Sequence, residues 1–128
     1  MEKQFKPNDY NSVSPYFIVD GAQKLIDMLT AIFNAKELRR YDMPDGTIMH
    51  VEVQIDDSII MIADSSEQYP SNKFLMHVYV RNVDDIFNQA ISIGCEPVEL
   101  PMQKVGDPDR RGSFKDFAGN IWSIGTQV

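Results

Sequence analysis

The stretch DDSIIMI at residues 56–62 returns in outline as AGNIWSI at residues 118–124, which lie 62 positions further along the chain. Shorter fragments recur at a similar distance, among them EL at 37–38 and 99–100, and VD at 19–20 and 83–84. The shift is close to half of the 128-residue length. Two copies are too few for a solenoid, which needs at least three repeats to bury its faces. We therefore expect two similar modules that pack together and enclose a cavity, where the function would lie.

Each half of the chain predicts the order strand, helix, strand, strand, strand. In the first half, apolar residues recur at helical spacing between Asp20, a predicted N-cap, and Asn34, a predicted left-handed helix end. In the second half, Asp84 is the predicted N-cap and Gly94 the helix end. The predicted strands span residues 14–19, 37–42, 47–55, 58–63, 74–80, 96–100, 112–115 and 120–125.

The sequence therefore predicts an α+β fold in a single domain over residues 1–128. After a loose lead-in at residues 1–12, module one spans residues 14–64, a polar linker spans residues 65–73, and module two spans residues 74–127.

Strand alternation places both histidines of the chain on the side of the predicted sheets that faces the cavity. In the third strand, the apolar side chains that we expect under the helix are Met49, Val51, Val53 and Ile55. The opposite side of that strand carries His50, Glu52 and Gln54. In the fifth strand, His77 and Tyr79 face the cavity by the same argument.

Composition narrows the function classes. The net charge of −7 and the pI near 4.6 argue against nucleic acid or an anionic membrane as a partner. No apolar run approaches the ~20 residues of a membrane span, and the first residues do not resemble a signal peptide. The single cysteine, Cys95, excludes an internal disulfide and a cysteine-based zinc site. We expect a reduced, cytoplasmic protein.

Four segments carry a resemblance to a known family: SPYFIVDGA at 14–22, MPDGTIMHVEVQIDDSIIMIAD at 43–64, HVYVRNVDDIF at 77–87 and KDFAGNIWSIGT at 115–126. With paired β-α-β-β-β modules, they resemble the vicinal oxygen chelate (glyoxalase/bleomycin resistance/extradiol dioxygenase) superfamily, and especially its small PhnB-like bacterial branch. The resemblance implies two modules that form a curved mixed sheet around a cavity. The resemblance also implies a homodimer. The frequency of two-fold symmetric assemblies supports the same expectation.

The resemblance also indicates which residues of this chain stand where the superfamily has its metal ligands. Metal-dependent members hold a divalent ion with His and Glu side chains on the first, fourth, fifth and eighth strands. These positions fall here on Ser14, Met61, His77 and Ser123, of which only His77 is a competent ligand. A catalytic metal needs about three protein ligands and an open site. We therefore expect no metal and no cofactor, and the usual metal-dependent catalysis is disfavoured.

Six side chains are predicted to contact a small, partly aromatic organic molecule in the cavity. Aromatic rings, a flexible thioether and a few hydrogen-bonding groups suit such a ligand. The predicted residues are Tyr16, His50, Met61, His77, Tyr79 and Ser123. For Tyr16 and Met61, simple packing in the core remains open, and the cavity as a whole could be filled by its own side chains.

The alternative function is an enzyme, namely an isomerase, a lyase or a dioxygenase-like protein. It would use His50 and His77 for acid–base chemistry, or an atypical metal site made of His50, Glu52 and His77. We favour an ordinary hydrogen bond for His50 and a cross-strand pair for Glu52. In the charged loop at 106–111, Arg110 or Arg111 could hold an anion, but a solvated turn is favoured.

Overall fold

The computed structural model describes residues 4–128, and within that part of the chain it contains two helices and eight strands. In chain order the elements are β1 (Tyr16–Val19), α1 (Ala22–Phe33), β2 (Lys36–Asp42), β3 (Ile48–Ile55), β4 (Ser58–Asp64), β5 (Leu75–Tyr79), α2 (Val83–Ser92), β6 (Glu96–Gln103), β7 (Asp109–Lys115) and β8 (Ile121–Gln127).

The chain divides between Asn72 and Lys73 into two compact units. Each unit has one helix and four strands in the predicted β-α-β-β-β order, so the predicted α+β class and its two modules are confirmed. The predicted lead-in at residues 1–12 begins with three residues that lie outside the described part of the chain.

The first unit is a mixed sheet in the order β1-β4-β3-β2. β1 runs parallel to β4, and the other neighbours are antiparallel. The apolar stripe of α1 is buried through Leu25 and Leu29, and the facing strands bury Val51, Val53 and Ile62. Each fully buried aliphatic side chain of this kind contributes about 1.5–3 kcal/mol through the hydrophobic effect.

The second unit repeats this topology in the order β5-β8-β7-β6. β5 runs parallel to β8, and the remaining pairs are antiparallel. Helix α2 buries Val83 and Phe87, and the strands bury Phe114, Trp122 and Ile124. In both units one sheet face packs under a helix, and we call the opposite face the helix-free face.

The predicted N-cap at Asp20 is wrong. Helix α1 begins after Gly21, which has a left-handed backbone (φ 96°) and provides no side-chain cap. Instead, Asp64 at the end of β4 accepts a hydrogen bond from the Ala22 backbone at 2.8 Å and one from the Ile48 backbone at 2.7 Å. A carboxylate from a neighbouring strand thus replaces the local cap, which no local sequence pattern reveals.

The second predicted N-cap, Asp84, is also displaced. The cap of α2 is Asn82, whose side chain accepts from the Asp85 backbone at 3.1 Å, and Asp84 lies in the first helical turn. The predicted helix ends are confirmed, since Asn34 (φ 55°) and Gly94 (φ 105°) both adopt left-handed conformations.

The alternation predicted for β3 fails at Met49. Tyr41 pairs with His50 and Asp42 pairs with Ile48, so Met49 is an extra residue in a β-bulge. Met49 is 53% exposed, and Ile48 is buried in its place at 3%. Beyond the bulge the prediction is confirmed, because Val51, Val53 and Ile55 are all buried.

The second hairpin is longer than the sequence predicted. β7 begins at Asp109 rather than Gly112, so part of the predicted solvated turn at 106–111 is strand. Arg110 accordingly points to the helix side, where it donates two 2.9 Å hydrogen bonds to the carboxylate of Asp84. Arg110 is therefore held in an ion pair, and the prediction of a fully solvated turn is wrong for residues 109–111.

Neither helix in the described residues is long and apolar enough to span a lipid bilayer.

Candidate functional site

The helix-free faces of the two units present equivalent rows of side chains. In the first unit, Tyr16 pairs with Met61, which pairs with Glu52. In the second unit, His77 pairs with Ser123, which pairs with Ser113. Tyr16 rather than Ser14 therefore occupies the first-strand position beside Met61, and Ser14 precedes β1. All six predicted ligand-binding residues lie in these rows or beside them, as two groups of three in separate units.

Glu52 is the centre of the network in the first unit. It is a buried carboxylate, only 3% exposed, in the middle of β3. Arg39 on the neighbouring strand β2 donates through Nε to Glu52 Oε1 at 2.7 Å. Tyr10 from the N-terminal segment donates its hydroxyl to the same oxygen at 2.5 Å, and the Arg39 guanidinium lies 5.1 Å from the Tyr10 ring. The cross-strand pair predicted for Glu52 is present, with Arg39 as the partner.

These donors keep Glu52 ionised. Burial alone raises the pKa of a carboxyl group, because it penalises the charged form. Hydrogen bonds from Arg39, His50 and Tyr10, together with the charge of Arg39, outweigh that effect and lower the pKa of Glu52 to about 2. Glu52 is therefore an acceptor only, which decides the direction of its hydrogen bond with His50.

That bond links Glu52 to a chain of three polar side chains on the helix-free face. His50 Nε2 lies 2.8 Å from Glu52 Oε2, and His50 Nδ1 lies 2.6 Å from the hydroxyl of Tyr16. The rings of Tyr16 and His50 are 5.5 Å apart. Burial, followed by the charge of Glu52, raises the pKa of Tyr16, so this phenol keeps its proton at neutral pH.

The second unit has a different network at the equivalent positions. Arg111 on β7 donates through Nη1 to His77 Nε2 at 3.2 Å. Arginine has no acceptor, so His77 Nε2 must offer its lone pair, and the ring proton is on Nδ1. Partial desolvation and the charge of Arg111 lower the pKa of His77, against an opposing effect of Asp109. His77 is therefore a neutral imidazole with its Nε2 lone pair already engaged.

Acidic partners fix Arg111 in this position. Its Nη2 donates to Asp109 at 2.8 Å and its Nε to Asp107 at 2.9 Å. Asp109 is 2% exposed and also accepts the hydroxyl of Tyr79 at 2.6 Å. The ring of Tyr79 meets the His77 ring edge-on at 4.7 Å and remains exposed. The charge of Arg111 is thus largely balanced.

Space for the His77 ring depends on a glycine. Gly125 on β8 pairs with both Tyr79 and Arg111, and a side-chain carbon there would lie 3.2 Å from His77 Nε2. The bare backbone at Gly125 leaves room for His77 and Arg111 to meet above it.

Several of these residues were not predicted from the sequence. The sequence predicts a loose lead-in around Tyr10 and no role for Arg39, yet both bond to Glu52. The sequence places Asp109 and Arg111 in a charged loop and offers Arg111 as a possible anion-binding residue, whereas in the structure both lie in β7 and bond to each other. No local pattern predicts that Asp109, Arg110 and Arg111 form a strand, and nothing local predicts the contact between Tyr10 and Glu52, which lie 42 residues apart.

The described residues do not fit the divalent metal of the superfamily. Among residues 4–128, no group of three or more His, Cys, Asp or Glu side chains could hold an ion. At the implied positions stand a protonated phenol at Tyr16, a thioether at Met61, a hydroxyl at Ser123, and His77 with its Nε2 bound to a guanidinium. The alternative triad fits no better, because His50 and Glu52 bond to each other.

Sequence relatives cover most of the chain. An uncharacterised protein of Mycobacterium bovis is 32% identical, and the match covers 91% of this chain and 84% of that protein. An uncharacterised protein of Mycobacterium tuberculosis is also 32% identical, with coverage of 91% and 75%. No protein-family model matches the chain.

Solved structures show the same fold at low identity. A glyoxalase/bleomycin resistance protein/dioxygenase family enzyme from Burkholderia phytofirmans superposes with a TM-score of 0.71 at 16% identity, covering 88% of this chain and 95% of that one. The PhnB protein from Bacillus cereus gives 0.69 at 11%, with coverage of 91% and 99%. TnmS3, an antibiotic binding protein from Streptomyces, gives 0.69 at 15%, with coverage of 93% and 100%.

Proposed function

The chain belongs to the family of these mycobacterial proteins and has the fold of the vicinal oxygen chelate superfamily. From that premise we propose that it binds a small, partly aromatic organic molecule on the helix-free faces of its sheets, without a metal ion. The proposal concerns a binding protein rather than a metalloenzyme. A fold alone does not decide function, and the side chains on the helix-free faces support a binding protein.

The contact between Arg111 and His77 carries this proposal. At the only implied metal position with a competent ligand, a guanidinium nitrogen lies 3.2 Å from His77 Nε2. A divalent cation at that nitrogen would displace Arg111 and would meet its positive charge. Metal binding there would break the hydrogen bond from Arg111 to His77, while the bonds to Asp107 and Asp109 hold the guanidinium close to the same site.

The remaining side chains suit an organic ligand. The exposed ring of Tyr79 and the half-buried ring of Tyr16 offer apolar surface with hydrogen-bonding groups at the edge. Met61 adds a flexible thioether, and Ser123 adds a hydroxyl at the centre of the second row. TnmS3, which shares the fold, is an antibiotic binding protein, which supports a ligand of this class.

A thermal-shift panel tests the proposal. Untagged protein is melted in buffer with EDTA against small aromatic compounds, including antibiotics. We expect at least one compound to raise Tm, because a ligand at about 100 times its Kd adds about 2.7 kcal/mol of stability. Tyr79→Ala should weaken the response of compounds that contact the second unit, whereas the exposed Val105→Ala should not. If no compound stabilises the protein, or if stabilisation requires a divalent metal, the proposal is wrong.

The hydrogen-bonded series Tyr16–His50–Glu52 favours a second candidate function, which is acid–base catalysis. An ionised carboxylate that orients an imidazole toward a hydroxyl is an arrangement able to move a proton. His77 does not qualify as its partner, because its Nε2 lone pair is engaged by Arg111. An enzyme of this kind would lose turnover in His50→Gln and keep it in His77→Gln. Equal losses in both variants would contradict it.

A further inference from the structure

The hydrogen-bonded chain in the first unit ends at the oxygen of Tyr16. Each bond along the chain has a direction, because donors and acceptors must alternate. Ionised Glu52 accepts from Arg39 and Tyr10 on Oε1, and its Oε2 accepts from His50 Nε2–H at 2.8 Å and from Arg39 Nη2 at 3.4 Å. In the neutral form of His50, Nδ1 is then the acceptor.

With His50 in its neutral form, the hydroxyl proton of Tyr16 points to His50 Nδ1. The two atoms are 2.6 Å apart, at the short end of the range for such a bond. Because Tyr16 has a single hydroxyl proton, its oxygen can offer only lone pairs to anything else. Donating into a chain that ends on a carboxylate polarises the hydroxyl and makes its oxygen a better acceptor. The Tyr16 oxygen can therefore accept a hydrogen bond from a ligand but cannot donate one.

The surroundings of this acceptor are apolar. On the same face of the first unit, Ile18 follows Tyr16 in β1, and Met61 and Ala63 lie beside them in β4. Ile18 and Met61 are half-buried, and Ala63 is 7% exposed. A ligand that lies on Met61 and Ile18 reaches the oxygen of Tyr16 at the edge of this apolar surface.

We propose that Tyr16 selects ligands that carry a hydroxyl donor on a flat apolar ring system, that is, phenol-like molecules. The ligand hydroxyl donates to Tyr16 Oη while its rings cover Met61 and Ile18. Acceptor-only groups at the same place, such as an ether oxygen or a carboxylate, cannot bond to Tyr16, whose hydroxyl proton is given to His50. This inference rests on the proposed binding function and specifies the chemistry of its ligand.

The test uses a matched pair of probes, 2-naphthol and its methyl ether 2-methoxynaphthalene, which share the ring system. Calorimetric titration of wild-type protein should show a preference of about tenfold for 2-naphthol, the size of one good neutral hydrogen bond. Tyr16→Phe keeps the ring but removes the acceptor, and it should bind both probes equally. Tyr41→Phe is the control, because it removes a hydroxyl from strand β2 and leaves the chain intact; its preference should match that of the wild type.

Equal affinities in the wild type would overturn the inference while leaving the proposed function in place. A preference that survives in Tyr16→Phe would also overturn it, because the donor would then meet another group. If neither probe binds, the inference fails, and the wider compound panel decides the proposed function separately.

A spectroscopic readout tests the direction of the chain without any ligand. Nitrogen-15 NMR of the His50 ring should show the proton on Nε2, and Tyr16→Phe should change the Nδ1 shift as that nitrogen loses its donor. Loss of fold in the variant would appear in the amide spectrum. A proton on Nδ1 alone would overturn the inference.

Discussion

Glu52 shows how a buried charge is sustained at the residue scale. A carboxylate with 3% exposure would be strongly destabilising without partners, since burial removes its hydration. Here Tyr10, Arg39 and His50 each donate to it, so that both carboxylate oxygens are occupied. The cost of burial is offset by charge-assisted hydrogen bonds, and the N-terminal segment is tied to the sheet through Tyr10.

A pH-dependent loss of stability follows from this environment. The folded pKa of Glu52 is about 2, below its unfolded value, so its ionised form contributes stability above pH ~4 that is lost as pH falls toward 2. Glu52→Gln should lower the free energy of unfolding by about 2 kcal/mol at pH 7, and the difference from wild type should shrink toward pH 3. Urea unfolding across that range checks this, with the exposed Glu67→Gln as control. A deficit that does not change with pH would contradict the account.

Cys95 should be chemically quiet in the folded protein. Burial, and then the charge of Asp116, raises the pKa of its thiol to about 11. Only the thiolate reacts, so alkylation by iodoacetamide at pH 8 should be slower than in the unfolded chain by roughly tens to a hundredfold. Mass spectrometry with and without urea measures both rates. Comparable rates would show that the thiol is accessible and easily ionised.

The residues of the candidate site were partly predictable. Strand alternation correctly placed His50 with Glu52, and His77 with Tyr79, because a period of two depends only on local extended structure. The bonds of Tyr10 and Arg39 to Glu52, and of Arg111 to His77, are not predictable from the sequence, because a hydrogen bond between distant residues depends on register and bulges. The bulge between Glu37 and Arg40 is an example, since it shifts the register of β2 beside Arg39.

At the element scale, the turn between β7 and β8 is ordered by a buried aspartate, Asp116. Both carboxylate oxygens of Asp116 accept hydrogen bonds: from the Ala118 and Asn120 backbones at 2.9 Å, from the Trp122 indole at 2.9 Å and from the Asn120 side chain at 3.1 Å. Asn120 in turn accepts from the Phe74 backbone at 2.7 Å. The DFAGN segment thus orders the turn and holds the start of β5.

Removal of the Asp116 carboxylate should make the second unit less stable against unfolding. Asp116→Ala leaves buried N–H groups without acceptors and should lower the free energy of unfolding by about 3 kcal/mol or more. Trp122 is the single tryptophan of the chain, so its fluorescence during urea unfolding reports on this turn. Asp57→Ala in the exposed turn between β3 and β4 should change stability by only about 0.5 kcal/mol or less. Equal effects would contradict the role of Asp116.

Elements were easier to predict than their ends. Helix stops at Asn34 and Gly94 were found because a left-handed residue leaves a local signature. The start of α1 was missed because its cap, Asp64, comes from another strand. The start of β7 is not predictable locally, because Asp109, Arg110 and Arg111 have the composition of a charged loop although they pair with β8.

At the scale of the whole molecule, the two units share one topology but differ in the polar side chains of their helix-free faces. Tyr16 and His77 occupy equivalent positions next to Met61 and Ser123, and each bonds to the third strand of its unit. The partner is His50 in the first unit and Arg111 in the second. The repeat is visible in the sequence because packing preserves apolar positions. The difference between the His50 and Arg111 contacts can be interpreted only from the strand register.

The homodimer stays a prediction at this scale. Two-fold assemblies are common among small proteins, and β6 carries exposed apolar side chains, Leu100 at 70% and Met102 at 54%. Size-exclusion chromatography with light scattering should give twice the 14.6 kDa of one chain. The mass of a single chain at all concentrations would contradict this expectation.

The metal content of untagged protein tests the central claim most directly. After dialysis against buffer with stoichiometric zinc, nickel and manganese, elemental analysis should find no stoichiometric metal, because Arg111 holds His77 and because His50 and Glu52 hold each other. His77→Ala should give the same result. Near-stoichiometric metal in the wild type that disappears in His77→Ala would contradict the account and identify a metalloprotein.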